Sequence, residues 1–125
     1  MGDALSWGGA SAACLAAGLQ LASVQSAAEN ALLVTAAAGN TVWIGGTDAA
    51  SEGTWVWSPS NTPLSYTNWY AGEPNNSGGE DCLLGNWKSG TWNDARCTKD
   101  VPRAMCTNRP RPHVCGPREV KAGRS

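Results

Sequence analysis

The spacing of apolar residues changes along this chain, and each change marks an element. From residue 6 to 18, SWGGASAACLAAG, the residues Trp7, Cys14, Leu15 and the alanines supply one inward face, with Ser6 as N-cap and Gly18 as the stop. This predicts a first helix. Residues 26–39 predict a second, because Ser26 followed by Glu29 forms a capping box and Gly39 closes an alanine-rich segment containing Leu32, Leu33 and Val34. Between the two, LQLASV alternates apolar and polar positions and suits a short strand or an extended connector. From Thr41 the chain turns to Val, Ile and Trp: VWIGG and TWVWS flank an acidic turn with Asp48, Glu52 and Gly53, and predict a hairpin. Residues 58–81 are mostly Pro, Ser, Asn, Gly and Tyr with little periodicity. A loop of that length in a compact domain is usually functional or disordered, and the tryptophan and cysteine on its flanks favour order. CLLGNW (82–87) and RAMC (103–106) predict two more short strands, and residues 107–125 have the composition of a flexible basic tail containing proline and glycine.

The chain has 125 residues, enough for one domain that removes roughly two thirds of its unfolded surface from water. Its net charge of −1 conceals an asymmetry. Residues 1–87 carry seven acids and no Lys or Arg, whereas residues 88–125 carry three acids and nine bases. The bases are scattered among prolines and glycines without interleaved aromatics, which argues against a nucleic-acid interface. Five cysteines beside seven tryptophans suit a disulfide-bearing extracellular or secreted module. No CxxC pair is present, so a zinc ribbon is disfavoured. Four paired cysteines allow three connectivities; the fifth, assigned to Cys115, is a candidate link between two copies of the chain in a homo-oligomer. No membrane span and no signal peptide are visible in the sequence.

The candidate chemistry is concentrated between Glu73 and Asp94, EPNNSGGEDCLLGNWKSGTWND. Carboxylates Glu73, Glu80, Asp81 and Asp94, with Asp48 or Glu52 reaching in, stand beside the amides of Asn75, Asn76 and Asn93, and no lysine or arginine precedes Lys88. Such oxygen-rich groups repel one another unless a positive charge sits between them. A hard divalent cation, Ca2+ by preference, satisfies them.

In chain order, SWGGASAACLAAGLQLASVQSAAENALL, WIGGTD, EGTWVWS, NWYAGEPNN, GEDCLL, WNDARC and AMC resemble the C-type lectin domain, from about Ser6 to Cys106. The resemblance implies an α+β fold: two helices, small antiparallel sheets and a long loop region that binds Ca2+ and sugar, spanning residues 1–106. It implies disulfides Cys14–Cys106 and Cys82–Cys97 and a cis peptide before Pro74. It carries the sugar-binding calcium site onto Glu73, Asn75, Glu80, Asn93 and Asp94. There each carboxylate or amide gives one oxygen to the ion while its other atom meets a sugar hydroxyl. Glu73, Asn75, Glu80 and Asn93 are then the sugar contacts. An auxiliary calcium site maps onto Asp48, Glu52, Glu80 and Asp81, with Asn76 where an acid is often found; one charge fewer predicts weaker binding there. In the family Glu-Pro-Asn goes with mannose-type glycans containing mannose, fucose or N-acetylglucosamine, so the implied partners are such glycans or glycoproteins.

Only MGDAL precedes Ser6, so the family's first strand is absent or reduced, and the edge around Arg103–Cys106 is expected to be unpaired unless a partner or the tail covers it. Trp43, Trp55, Trp57, Trp69, Trp87 and Trp92 are read as core before sugar platforms. His113 is read as a solvated tail residue. Asn75-Asn76-Ser77 is formally a glycosylation acceptor, but a glycan on Asn75 would remove a metal ligand. Glu73 with Glu80 or Asp81 resembles a glycosidase pair, yet so short a chain lacks a deep cleft and its acids look committed to metal; no enzyme is expected. The stronger competitor is a lectin-like module that binds protein, mineral or ice with little sugar affinity.

Overall fold

The computed structural model describes residues 4–58, 60–74, 79–107 and 118–121. Among these described residues, two helices, α1 (Trp7–Ala16) and α2 (Ala27–Ala37), accompany eight strands: β1 (Gln20–Leu21), β2 (Val42–Thr47), β3 (Val56–Trp57), β4 (Thr62–Pro63), β5 (Cys82–Gly85), β6 (Asn93–Ala95), β7 (Arg103–Thr107) and β8 (Arg118–Lys121). The fold is α+β, with the strands in one branched sheet. β1, β7, β2, β3 and β4 lie side by side in that order, β5 joins β2 to β6, and β8 pairs with β7.

Local chemistry fixes the helix ends. Ser6 Oγ accepts from Gly9 N, and α1 closes where Gly18 turns left-handed at φ 79° while Leu19 N and Gly18 N donate to the carbonyls of Cys14 and Leu15. That is the paired-bond stop that glycine after a helix permits. In α2, Ser26 Oγ accepts from Glu29 N at 3.1 Å, and Glu29 Oε1 accepts from Gln25 N at 2.7 Å, so the returning bond lands one residue before the cap. The left-handed exit starts at Ala38, φ 50°, one residue ahead of Gly39; a non-glycine there costs about 1–2 kcal/mol, which packing of the helix offsets.

The unbroken apolar run of β2 follows from burial on both faces. Trp43, Leu84, Cys82, Ala104 and Cys106 pack with Ala10 and Cys14 of α1, while Val42, Ile44, Leu83 and Met105 pack with Leu33 and Ala37 of α2. Successive residues of each strand point to opposite faces, so the register Trp43↔Leu84 on β5 and Trp43↔Ala104 on β7 sorts the two cores. The disulfide Cys14–Cys106 ties α1 to β7, and Cys82–Cys97 ties β5 to the segment after β6.

The segment read as a long loop contains β4, which pairs with β3, and a bridge between Trp69 and Trp92. The edge expected to lie unpaired is covered. β8, from the segment read as a flexible tail, pairs antiparallel with β7 from Arg103↔Lys121 to Cys106↔Arg118. Near the N-terminus a single antiparallel bridge joins Leu5 to Val101. The remainder of 107–125 after Thr107, with His113 and Cys115, lies outside the described residues. No described helix is long and apolar enough to cross a membrane.

Candidate functional site

The tryptophan at position 92 builds the site from within. Its ring is fully buried, edge-on to Trp57, Tyr66 and Trp69 at centroid separations of 5.7, 5.8 and 6.0 Å. Its Nε1 donates to Asn30 Oδ1 at 2.8 Å, and Asn30 Nδ2 and Asn68 Nδ2 both donate to Gly90 O at 2.9 Å. Helix α2 and the long loop are thus clamped to the turn just before β6. Asn30, Leu33 and Ala37 form the inward stripe of α2. An amide in that apolar stripe is the signal in the sequence for a buried polar partner.

Anchoring Trp92 sets the positions of the next two residues. Asn93 pairs with Leu84 and Asp94 with Leu83 across the β5–β6 ladder. Asn93, Asp94 and Glu80 line one cavity of 240 Å³. Asp94 is fully buried, and Asn93 Oδ1 is buried with no hydrogen-bond partner. Glu73 approaches from the long loop: its N–H donates to Tyr70 O, and Tyr70 N–H donates to Trp92 O, both at 2.8 Å. The Glu73–Pro74 peptide is cis. Asn75 and Asn76 lie outside the described residues. Of the five residues assigned to the sugar-binding calcium site, Glu80, Asn93 and Asp94 meet at one cavity, and Glu73 is tethered to the tryptophan beside it.

A second cluster lies at the β2–β3 turn. Carboxylate oxygens of Asp48, Glu52 and Asp81 lie within 4.8 Å of one another. Asp48 is buried, with Oδ2 accepting from Gly53 N at 2.8 Å; Gly53 sits at φ 84°, a conformation that favours glycine. Asp48 N–H and the Thr47 hydroxyl both donate to Asp81 O, at 3.1 and 2.6 Å, locking the two acids together. Asp48 Oδ1 and Asp81 Oδ1 are buried without a hydrogen-bond partner. Crowding raises two pKa values. Glu52, whose residue surface is otherwise exposed, loses hydration at its carboxyl group and faces Asp48 and Asp81, and is pushed up to about 7. Asp81 is raised by its hydrogen bond with Asp48, then by lost hydration and the charge of Asp48. Oxygen-only donors, three of them carboxylates, with buried oxygens left unpaired, fit a hard divalent cation.

Trp43, Trp57 and Trp92 are buried core residues, as read; Trp55, Trp69 and Trp87 are only half-buried. Both groups are assembled around β5: Thr47, just before Asp48, pairs with Cys82, and Asn93 and Asp94 pair with Leu84 and Leu83, so that Glu80 of one group directly precedes Asp81 of the other.

Comparison with known proteins agrees with this architecture. The chain belongs to the C-type lectin domain family, since the model of the "Lectin C-type domain" matches residues 3–108. It is 42% identical over 109 residues to ladderlectin of Oncorhynchus mykiss, an alignment that covers 82% of this chain and 57% of that protein. Among solved structures it superposes on the cow carbohydrate-recognition domain of CD23, crystallised with a GlcNAc2Man3 oligosaccharide, with TM-score 0.77 and 37% identity over 84% of this chain and 81% of that one. It superposes equally well on herring type II antifreeze protein, with TM-score 0.76 and 30% identity over 84% of both chains. The chain spans little more than half of ladderlectin.

Proposed function

We propose that this domain is a secreted, calcium-dependent carbohydrate-binding module of mannose-type specificity. The observation that carries the reading is the cavity at which Glu80, Asn93 and fully buried Asp94 meet, with Asn93 Oδ1 left unpaired. Glu73, Asn75, Glu80, Asn93 and Asp94 would hold a Ca2+, which supplies a positive centre for vicinal sugar hydroxyls when bound. The chain's own part is orientation. Each side chain would offer one oxygen to the ion, leaving amide N–H groups to donate to a sugar oxygen and carboxylates to accept from a sugar hydroxyl. The acid-then-amide order Glu73, Asn75 supports equatorial 3- and 4-hydroxyls, because exchanging the two would exchange acceptor and donor across the site. Asp48, Glu52, Glu80 and Asp81, with Asn76 where an acid is often found, would hold a second, auxiliary ion. The likeness to the cow carbohydrate-recognition domain of CD23, crystallised in the presence of a GlcNAc2Man3 oligosaccharide, supports a glycan ligand.

The likeness to herring type II antifreeze protein supports a different reading of the same loops, as a surface that binds ice rather than sugar. Retention on mannose-agarose separates them. Calcium-dependent retention released by EDTA supports the lectin. Calcium binding without retention, or retention indifferent to EDTA, removes it.

A further inference from the structure

The face carrying Glu80, Asn93 and Asp94 continues beyond them. Their cavity of 240 Å³ extends to Trp87, Arg96 and Lys99. A second cavity of 310 Å³ begins at the same Trp87 and Lys99 and runs past Asp100 to Arg103. The two hollows adjoin at Trp87 and Lys99, which line both; taken together as a groove, they reach the size of roughly 300–1,000 Å³ usual for small-ligand sites.

The groove changes character along its length. The first hollow holds Glu80, Asp94 and Asn93 together with Arg96; Trp87 and Lys99 line both hollows, and the second adds Arg103 beside Asp100. Trp87 is half-buried at the junction, and Lys88 Nζ lies 5.9 Å from its ring and 5.5 Å from the ring of Tyr70. Lys88, Arg96, Lys99 and Arg103, four of the nine bases after residue 87, lie at or beside these hollows.

We infer that the groove takes a second sugar residue bearing an anionic group, a sulfate ester or a carboxylate, from a glycan whose first residue is held at the Glu80–Asn93–Asp94 end. Trp87 offers the apolar contact for a sugar ring at the junction. Lys99 and Arg96 give charge-assisted hydrogen bonds to the anion, shorter and stronger than neutral ones. An acidic peptide would satisfy the basic half alone, since it lacks the vicinal hydroxyls that the other end accepts. The inference rests on the calcium-site reading and adds the class of glycan to it.

The test is competition for mannose-agarose in calcium at moderate salt. The probes are free mannose, a neutral mannose disaccharide, and the same disaccharide with its second residue sulfated or replaced by a uronic acid. Either anionic disaccharide is expected to compete at roughly 5–20-fold lower concentration than the neutral one. In the double variant Lys99→Gln with Arg96→Gln that preference should vanish, while free mannose competes within about twofold of its original concentration. Equal competition by neutral and anionic disaccharides, or a preference that survives in the double variant, overturns the groove but leaves the calcium site standing. Failure of free mannose to compete overturns both.

Discussion

Trp92 Nε1 and Asn30 Oδ1 form a 2.8 Å hydrogen bond that joins the inward stripe of α2 to the residue immediately before the candidate calcium ligands Asn93 and Asp94. Both groups are buried, so neither finds water if the other is lost. Trp92→Phe keeps most of the ring and leaves Asn30 Oδ1 unpaired. We expect a loss of about 1–3 kcal/mol in urea-unfolding stability, together with weaker calcium binding because β6 loses its anchor. A variant with wild-type stability would show the bond to be dispensable.

Glu73→Gln and Asn93→Asp each exchange an acceptor-only group for one that also donates, or the reverse, without changing side-chain size. Capture on mannose-agarose should be abolished in both, with thermal stability in EDTA near that of the parent. Undiminished capture by both variants would remove these residues from the site.

The Asp48–Glu52–Asp81 cluster makes the metal-free protein sensitive to pH. Glu52 rises from 4.5 to about 7 in the fold, so between those values the native state holds a proton that the unfolded chain has released. The linkage relation then gives stability that falls as pH rises through this window, complete below about 4.5 and gone above about 7. In EDTA, unfolding midpoints measured from pH 4.5 to 7.5 should decline more for the parent than for Glu52→Gln. Calcium should flatten or reverse the decline, since the ion displaces that proton and its affinity rises with pH across the same range. Parallel profiles for parent and variant would show that Glu52 is not the group responsible.

The two disulfides divide labour by the length of chain they close. Cys14–Cys106 spans 92 residues and Cys82–Cys97 spans 15. In the chain-entropy account their removal costs about 4.6 and about 3 kcal/mol respectively. The short one brackets Asn93 and Asp94, so Cys82→Ala with Cys97→Ala should lower calcium affinity more, and stability less, than Cys14→Ala with Cys106→Ala. Calorimetric unfolding and calcium titration of the two double variants check the order.

Sequence alone determined the helices, because capping hydroxyls and closing glycines act within a few residues: Ser6, Ser26, Gly18 and Gly39 mark their ends to within two positions. It also determined the family and the kinds of ligand atoms present, since motif order and residue chemistry need no coordinates. Only the tertiary structure decided β6, β8 and the groove. Asn93 and Asp94 are poor strand formers, and they become a strand because β5 and the buried Trp92 impose the register. Proline- and glycine-rich surroundings hid Arg118–Lys121, which are held by the open backbone edge of β7 rather than by any pattern of their own. The meeting of Trp87 with Arg96 and Lys99 beside the acids depends on long-range pairing, a relation between distant parts of the chain that no local spacing encodes.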